Sequence, residues 1–345
     1  MPTSRYSASR PILRSSHKLI VMIRFFRAAI ICILLGALAS QASAQNEGLA
    51  EIVFGTLGPT SSNWSLYIAE QQGYFRAEGL KITTVVTGNP VNTLNQLATG
   101  GLDIASDGTD TVIAGVVRKL PVKVVSTFMV GNPYALVVVP SIKSWNDLKG
   151  KKVGVGTKED VTAMVMDAMA RAHHFDMNRD FDLIVIGNTG ARYQALTTGN
   201  IQGGFLGQPY DFLAESKGMH VLGRASDYFK DWMYTSVVVN TNWAATHRAE
   251  VVKFIRALRK GTNYGYDHPQ EAIQALINAT KVDQDAARKA YALDFQQAKV
   301  FSRTGIVPEK GVRAVIDAML RIGSITSAPP ISDIVDNSFA QEAQR

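Results

Sequence analysis

The sequence predicts an α/β protein of two similar lobes joined by a pair of extended crossovers. Three observations carry this. Strand-like and helix-like segments alternate from Glu51 onward, and the alternation restarts near Lys151. Two similar β-rich runs, "YALVVVPS" (Tyr134–Ser141) and "YTSVVVNT" (Tyr234–Thr241), flank the second round. Alternation of this kind implies a parallel-rich sheet with helices on both faces.

In the first round, "EIVFGTL" reads as a strand and "SSNWSLYIAEQQGYF" as a helix ended by Gly73, glycine being the residue that adopts the left-handed cap at no steric cost. "KITTVVT" is a strand, "PVNTLNQLATGG" a helix closed by glycine, "LDIASD" a strand, "TDTVIAGVVRK" a helix and "PVKVVSTFM" a strand. In the second round, the strands are "KKVGVG", "FDLIVIG", "IQGGFLG" and "MHVLGR"; the helices are "EDVTAMVMDAMARAHH", "GARYQALTTG" and "PYDFLAESKG". An internal echo supports two related lobes: "QLATGGLDIASDG" (Gln96–Gly108) parallels "ALTTGNIQGGFLG" (Ala195–Gly207). The two β-rich runs read as paired strands crossing between lobes, a double hinge; core strands of a single sheet are the alternative. The expected organisation is residues 1–44 as a leader, 45–135 with 240–345 as lobe 1, and 136–239 as lobe 2. Four helical stretches after residue 242, beginning with "AEVVKFIRALRKGTNYGYDH", are expected to pack back on the first lobe.

The chain has 345 residues, 46% of them apolar, and a formal charge of +7. That charge does not mark a nucleic-acid binder. Six of the 36 basic residues (Arg5, Arg10, Arg14, Lys18, Arg24, Arg27) precede residue 45, where there is no acid, and the remainder nearly balance the 29 acidic ones. The same N-terminal region reads as an export signal. A basic stretch from Met22 to Arg27 leads into the apolar core Ala28–Ala39, and "ASA" before Gln45 fits cleavage after Ala44. The core is short of the ~20 residues a transmembrane helix needs. The single cysteine, Cys32, lies in that core, so the exported chain is expected to have no disulfide, thiolate chemistry or cysteine metal site.

"KKVGVGTKEDVTAM" (Lys151–Met164) resembles a dinucleotide fingerprint only in part. Gly154 and Gly156 fit the first two glycines, but Glu159 stands where the third is needed, and a carboxylate there would face a pyrophosphate. What remains is a helix N-terminus at the carboxyl end of a strand, where ligands of open α/β sheets gather. Thr157 and Lys158 would favour an anion; Glu159 and Asp160 would oppose it, or simply cap the helix. The same logic marks polar residues at other strand tips: Asn63, Trp64, Asp107, Thr109, Asn132, Asn188, Arg192 and Gln208. Trp64 either stacks on a solute or packs its helix. Arg192 either clamps a carboxylate or sulfonate or is solvated. The neutral side chains either bond a solute or make turns. No H-x-x-x-H, G-x-S-x-G or paired-carboxylate motif stands out, and no metal or cofactor is expected.

The segments "GYFRAEGLKI", "LATGGLDIAS", "LPVKVVS", "PYALVV", "IKSWNDLKGKKVGVG", "ALTTGNIQGGF" and "HPQEAIQALINAT", in this order, resemble the extracytoplasmic solute-binding proteins of the nitrate/sulfonate/taurine importer class, the NMT1-like family. The resemblance implies two Rossmann-like lobes joined by a two-strand hinge, the type II periplasmic-binding-protein fold. It also implies a periplasmic, monomeric, non-enzymatic protein that delivers a small solute, an organic anion first, to an ABC permease. Family members often carry Gly-Ser where this chain has Glu159 and Asp160. Thiamine-pyrimidine synthases resemble the same fold, but they carry a cysteine-rich motif that this chain lacks. A periplasmic ligand-sensing subunit is the third option.

Overall fold

The computed structural model describes Met1 and residues 48–345; the export signal expected within residues 1–44 lies outside the described residues. Two five-stranded sheets organise the rest. The first contains β1 (Ala50–Thr56), β2 (Leu80–Val86), β3 (Ile104–Gly108), β4 (Val122–Val130) and β10 (Met233–Asn240), in the order β2-β1-β3-β10-β4. The second contains β5 (Ala135–Val138), β6 (Lys152–Val155), β7 (Asp182–Val185), β8 (Gly203–Leu206) and β9 (His220–Arg224), in the order β7-β6-β8-β5-β9. The two orders are the same pattern. In each sheet one strand runs against its neighbours: β10 is antiparallel to β3 and β4, and β5 to β8 and β9. That strand is the one that has just arrived from the other lobe.

The two β-rich runs are therefore not paired with each other. Each becomes an internal strand of the sheet it enters, which explains its continuous apolar character: all of Ala135–Val138 and nearly all of Met233–Asn240 is buried. The crossovers are the short segments ahead of them, joined where the Gly131 N–H donates to the Trp232 carbonyl at 2.8 Å. The chain re-enters the first sheet at Met233, earlier than the boundary expected at residue 240, because strand pairing begins before the valine run that marks it in sequence.

The internal echo has a structural counterpart. Helix Pro90–Ala98 turns at Gly100 into β3, and helix Thr189–Thr197 turns at Gly199 into β8; the glycines have φ of 81° and 77°, and β3 and β8 occupy matching places. Local signals set the helix starts. Asn89 accepts from the Asn92 N–H at 2.9 Å ahead of Pro90, and the Asp160 carboxylate accepts from the N–H groups of Thr162 and Ala163.

Helix Arg248–Asp267 packs on helix Trp64–Gln71 of the first lobe. Gly261 permits it, since a Cβ there would meet the Ser65 carbonyl oxygen at 2.4 Å. The later helices do more than cover the first lobe. Gln284–Tyr291 also touches helix Tyr210–Glu215, and Glu309–Ile322 touches helix Val161–Ala172, both in the second lobe. The apolar face of Glu309–Ile322, including Val312, Val315 and Met319, joins one core with Met164 and Met169. Among the described residues, no helix is long and apolar enough to cross a membrane.

Candidate functional site

The carboxyl ends of β1, β3, β6 and β7 and the start of β10 converge on a cavity of about 200 Å³ between the two sheets. The first lobe contributes the loop Thr56–Thr60 and residues Ser106–Gly108; the second contributes Asp160, Val161 and the turn Gly187–Gly190. Tyr134, just ahead of β5, and Tyr234, at the start of β10, also line it. This is where an open α/β sheet leaves backbone N–H groups and loop side chains free to meet a ligand. The volume is below the ~300 Å³ at which drug-sized pockets begin, so it suits a small solute.

Three carboxyl groups stand in its wall: Asp107, Asp110 and Asp160. Asp107 is 1% exposed; its Oδ1 accepts from the Gly108 N–H at 2.7 Å, while Oδ2 has no partner. Burial pushes this carboxyl well above the usual carboxylate range. Asp110 accepts from the Val161 N–H at 3.0 Å, a bond between lobes; burial, with the nearby Asp160 charge, pushes it up to about 7. Asp160 is raised by burial, against the hydrogen bonds of its helix cap and the attraction of Arg192.

The one buried guanidinium in that wall is already occupied. Arg192 is 1% exposed and donates from Nε to the Phe205 carbonyl at 2.7 Å, from Nη1 to the carbonyls of Ile186 and Gly187, and from Nη2 to the Tyr134 hydroxyl at 3.4 Å. It ties together the ends of β7 and β8. It is not the solvated side chain that one expectation allowed, because a first-turn arginine can turn inward when the adjoining strand ends present free carbonyls.

Of the other expected residues, Asn63, Asp107 and Asn188 line the same cavity. Asn63 is internally satisfied, donating to Thr56 Oγ1 and accepting from Ser106 Oγ, both at 2.7 Å, so it braces the loop. Asn188 caps helix Thr189–Thr197 through the Ala191 N–H. Trp64 is not in the wall. It is fully buried, donates Nε1–H to the Ala272 carbonyl at 2.6 Å and sits edge-on to Tyr291, Phe295 and Phe301. Thr109 is buried against Ser236 Oγ at 2.7 Å. Thr157 and Lys158 lie outside the cavity. Asn132 and Gln208 line a different cavity behind the crossovers.

Sequence reasoning did not select Asp110, Tyr134 or Tyr234. Asp110 looks like a carboxylate complementing its own helix N-terminus, and only the facing lobe reveals its second partner. The tyrosines begin the β-rich runs, and their place at the crossovers was the available signal. Among the described residues, no group of three or more His, Cys, Asp or Glu is arranged to hold a metal ion.

A family model described as NMT1/THI5 like matches residues 61–272. The chain is 24% identical over 331 residues to the putative binding protein YtlA of Bacillus subtilis, covering 93% of this chain and 98% of that one. It is 23% identical over 325 residues to a putative aliphatic sulfonates-binding protein of the same organism, covering 91% and 94%. It shares the fold of the periplasmic nitrate-binding protein NrtA from Synechocystis, with a TM-score of 0.73 at 14% identity over 86% of this chain and 88% of that one.

Proposed function

Because the chain belongs to the NMT1/THI5-like family, we propose that it is an extracytoplasmic solute-binding protein that captures one small solute between its lobes and delivers it to an ABC permease. It works in the periplasm as a monomer, by capture and release, with no bond changed. The cleft geometry supports a donor-bearing solute, such as a protonated amine or a nitrogen heterocycle with N–H groups. The observation that carries this is Asp107: a buried carboxyl with an unpartnered oxygen, in a wall it shares with Asp110 and Asp160. A buried acceptor without a partner costs ~1–3 kcal/mol, and a ligand N–H would recover it.

The second reading is the organic anion expected from sequence. The names of the sulfonate- and nitrate-binding relatives favour it. It needs Asp107 and Asp110 protonated, so that they donate to the solute rather than repel it, and the burial that raises both carboxyls favours that state. Arg192 gives it less support than its charge suggests, since Nε and Nη1 already serve protein carbonyls.

Calorimetry from pH 5 to 8 tests both, with a panel of amines, N-heterocycles, sulfonates, nitrate and carboxylates. The first reading expects an amine or heterocycle hit whose affinity rises with pH and whose binding releases protons. A hit among anions, tightening as pH falls, would overturn it. Recovery of the hit unchanged supports a carrier; a transformed solute would point to an enzyme on the same scaffold.

A further inference from the structure

A second cavity, of about 380 Å³, lies against the crossovers and adjoins the cleft between the strand tips at Tyr134, which lines both. Its walls include Asn132 of the first crossover and Trp232 of the second, Gln208 of the second lobe, and Asp294 in the π-helical turn Ala292–Gln297. Among the described residues, four buried side-chain polar atoms lack a hydrogen-bond partner, and three belong to this wall: Asn132 Nδ2, Gln208 Oε1 and Asp294 Oδ2. The three residues are 6%, 3% and 2% exposed, so solvent does not satisfy them. Buried polar groups are nearly always partnered, and such a concentration marks a place where something else bonds. The orientation of the Asn132 amide is fixed, because its Oδ1 accepts from the Tyr134 N–H at 3.2 Å.

The chemistry of the three atoms restricts the occupant. Asn132 supplies a donor; Gln208 supplies an acceptor. Burial pushes the Asp294 carboxyl up to about 8, so near neutral pH it is largely uncharged. Of the charged groups in the wall, Arg224 pairs with Asp211 and Lys310 with Asp231, each at 2.7 Å, while Lys230 is exposed to solvent. A cation would leave Asn132 without an acceptor, and an anion would face the Gln208 oxygen. A primary carboxamide satisfies all three, its carbonyl accepting from Asn132 and its NH2 donating to Gln208 and Asp294. Trp232 and Val300 offer an apolar wall for the group it carries.

We propose that this cavity is a second small-molecule site, distinct from the cleft, for a neutral carboxamide on an apolar or aromatic group. Since both crossovers line it, its occupant acts on the angle between the lobes, and by linkage on the affinity of the cleft.

The test titrates benzamide, benzoate and benzylamine into the purified protein by ligand-observed NMR, followed by diffraction of the benzamide complex. Benzamide is expected to saturate and to bind roughly ten-fold more tightly than either charged analogue. Asn132→Asp, which replaces the donor by an acceptor, should weaken it roughly ten-fold. Val300→Trp, which fills the cavity, should abolish it and decides the matter if Asn132→Asp does not fold. Three results would overturn the proposal: no saturable benzamide binding, binding unchanged by both variants, or a cavity in which ordered water alone bonds the three atoms.

Discussion

The Asp110 carboxylate accepts a hydrogen bond from the backbone N–H of Val161 across 3.0 Å, joining the first turn of a helix in one lobe to the first turn of a helix in the other. The two helices face each other N-terminus to N-terminus, and the carboxylate lies between two positive dipole ends. With the Ser61 N–H donating to the Gln208 carbonyl at 3.1 Å, it is a direct polar tie across the lobes. Asp110→Ala removes the acceptor and should disfavour the closed arrangement by ~1–3 kcal/mol. Solution scattering should then give a larger radius of gyration. An unchanged radius would mean that the apolar contacts of helix Glu309–Ile322 hold the lobes without it.

The same residue gives a pH dependence with a definite sign. Its carboxyl titrates near 7 in the folded chain, above the ordinary value of 3.8. A raised carboxyl means that the folded state holds the proton more tightly than the unfolded one. The associated stability is fully present below about pH 4 and is lost as pH rises through about 7. Wild type should therefore lose melting temperature relative to Asp110→Asn as pH increases from 4 to 8. A constant difference would show that Asp110 is not the titrating group.

Arg192 is expected to behave as a structural residue of the second lobe. Arg192→Ala leaves the buried Phe205 carbonyl and the Gly187 carbonyl without their donor and should cost about 3 kcal/mol or more in urea unfolding. Lysine should not rescue it, because one ammonium cannot reproduce the planar fork that reaches several acceptors. A variant of unchanged stability that loses only solute affinity would instead make Arg192 a ligand clamp.

Trp64→Phe removes the donor to the Ala272 carbonyl and part of the ring volume packed among Tyr291, Phe295 and Phe301. The expected cost is ~1–3 kcal/mol of stability with solute affinity unchanged. Loss of affinity at constant stability would return the ring to the solute.

The tie between the tyrosines offers a finer probe of the hinge. The Tyr234 hydroxyl donates to that of Tyr134 at 3.2 Å, with the rings edge to face, and Tyr134 in turn accepts from Arg192. Tyr234→Phe deletes one link between the crossovers while keeping the ring. It should speed solute release more than it changes association, since the bond belongs to the closed form. Equal effects on both rates would argue that the pair acts only on folding.

The sequence by itself determined the architecture. Period and punctuation are local properties, so Gly73, Gly100 and Gly199, the cap at Asp160, and the apolar runs at Ala135–Val138 and Val237–Val239 could be read in place. The repeated helix–glycine–strand unit announced two lobes. What only the tertiary structure decided is which polar residues face a common space. Asn63, Asp107, Asn188 and Arg192 share the cleft wall, whereas Trp64 and Thr109 turn into the core and Asn132 and Gln208 face the second cavity. A strand-tip residue has several partners within reach, and its choice depends on groups more than a hundred positions away in some cases, as with Thr109 and Ser236 or Trp64 and Ala272. The shift of Asp110 is of the same kind. Desolvation and the Asp160 charge arise only when the two lobes meet, and nothing within either segment encodes them alone.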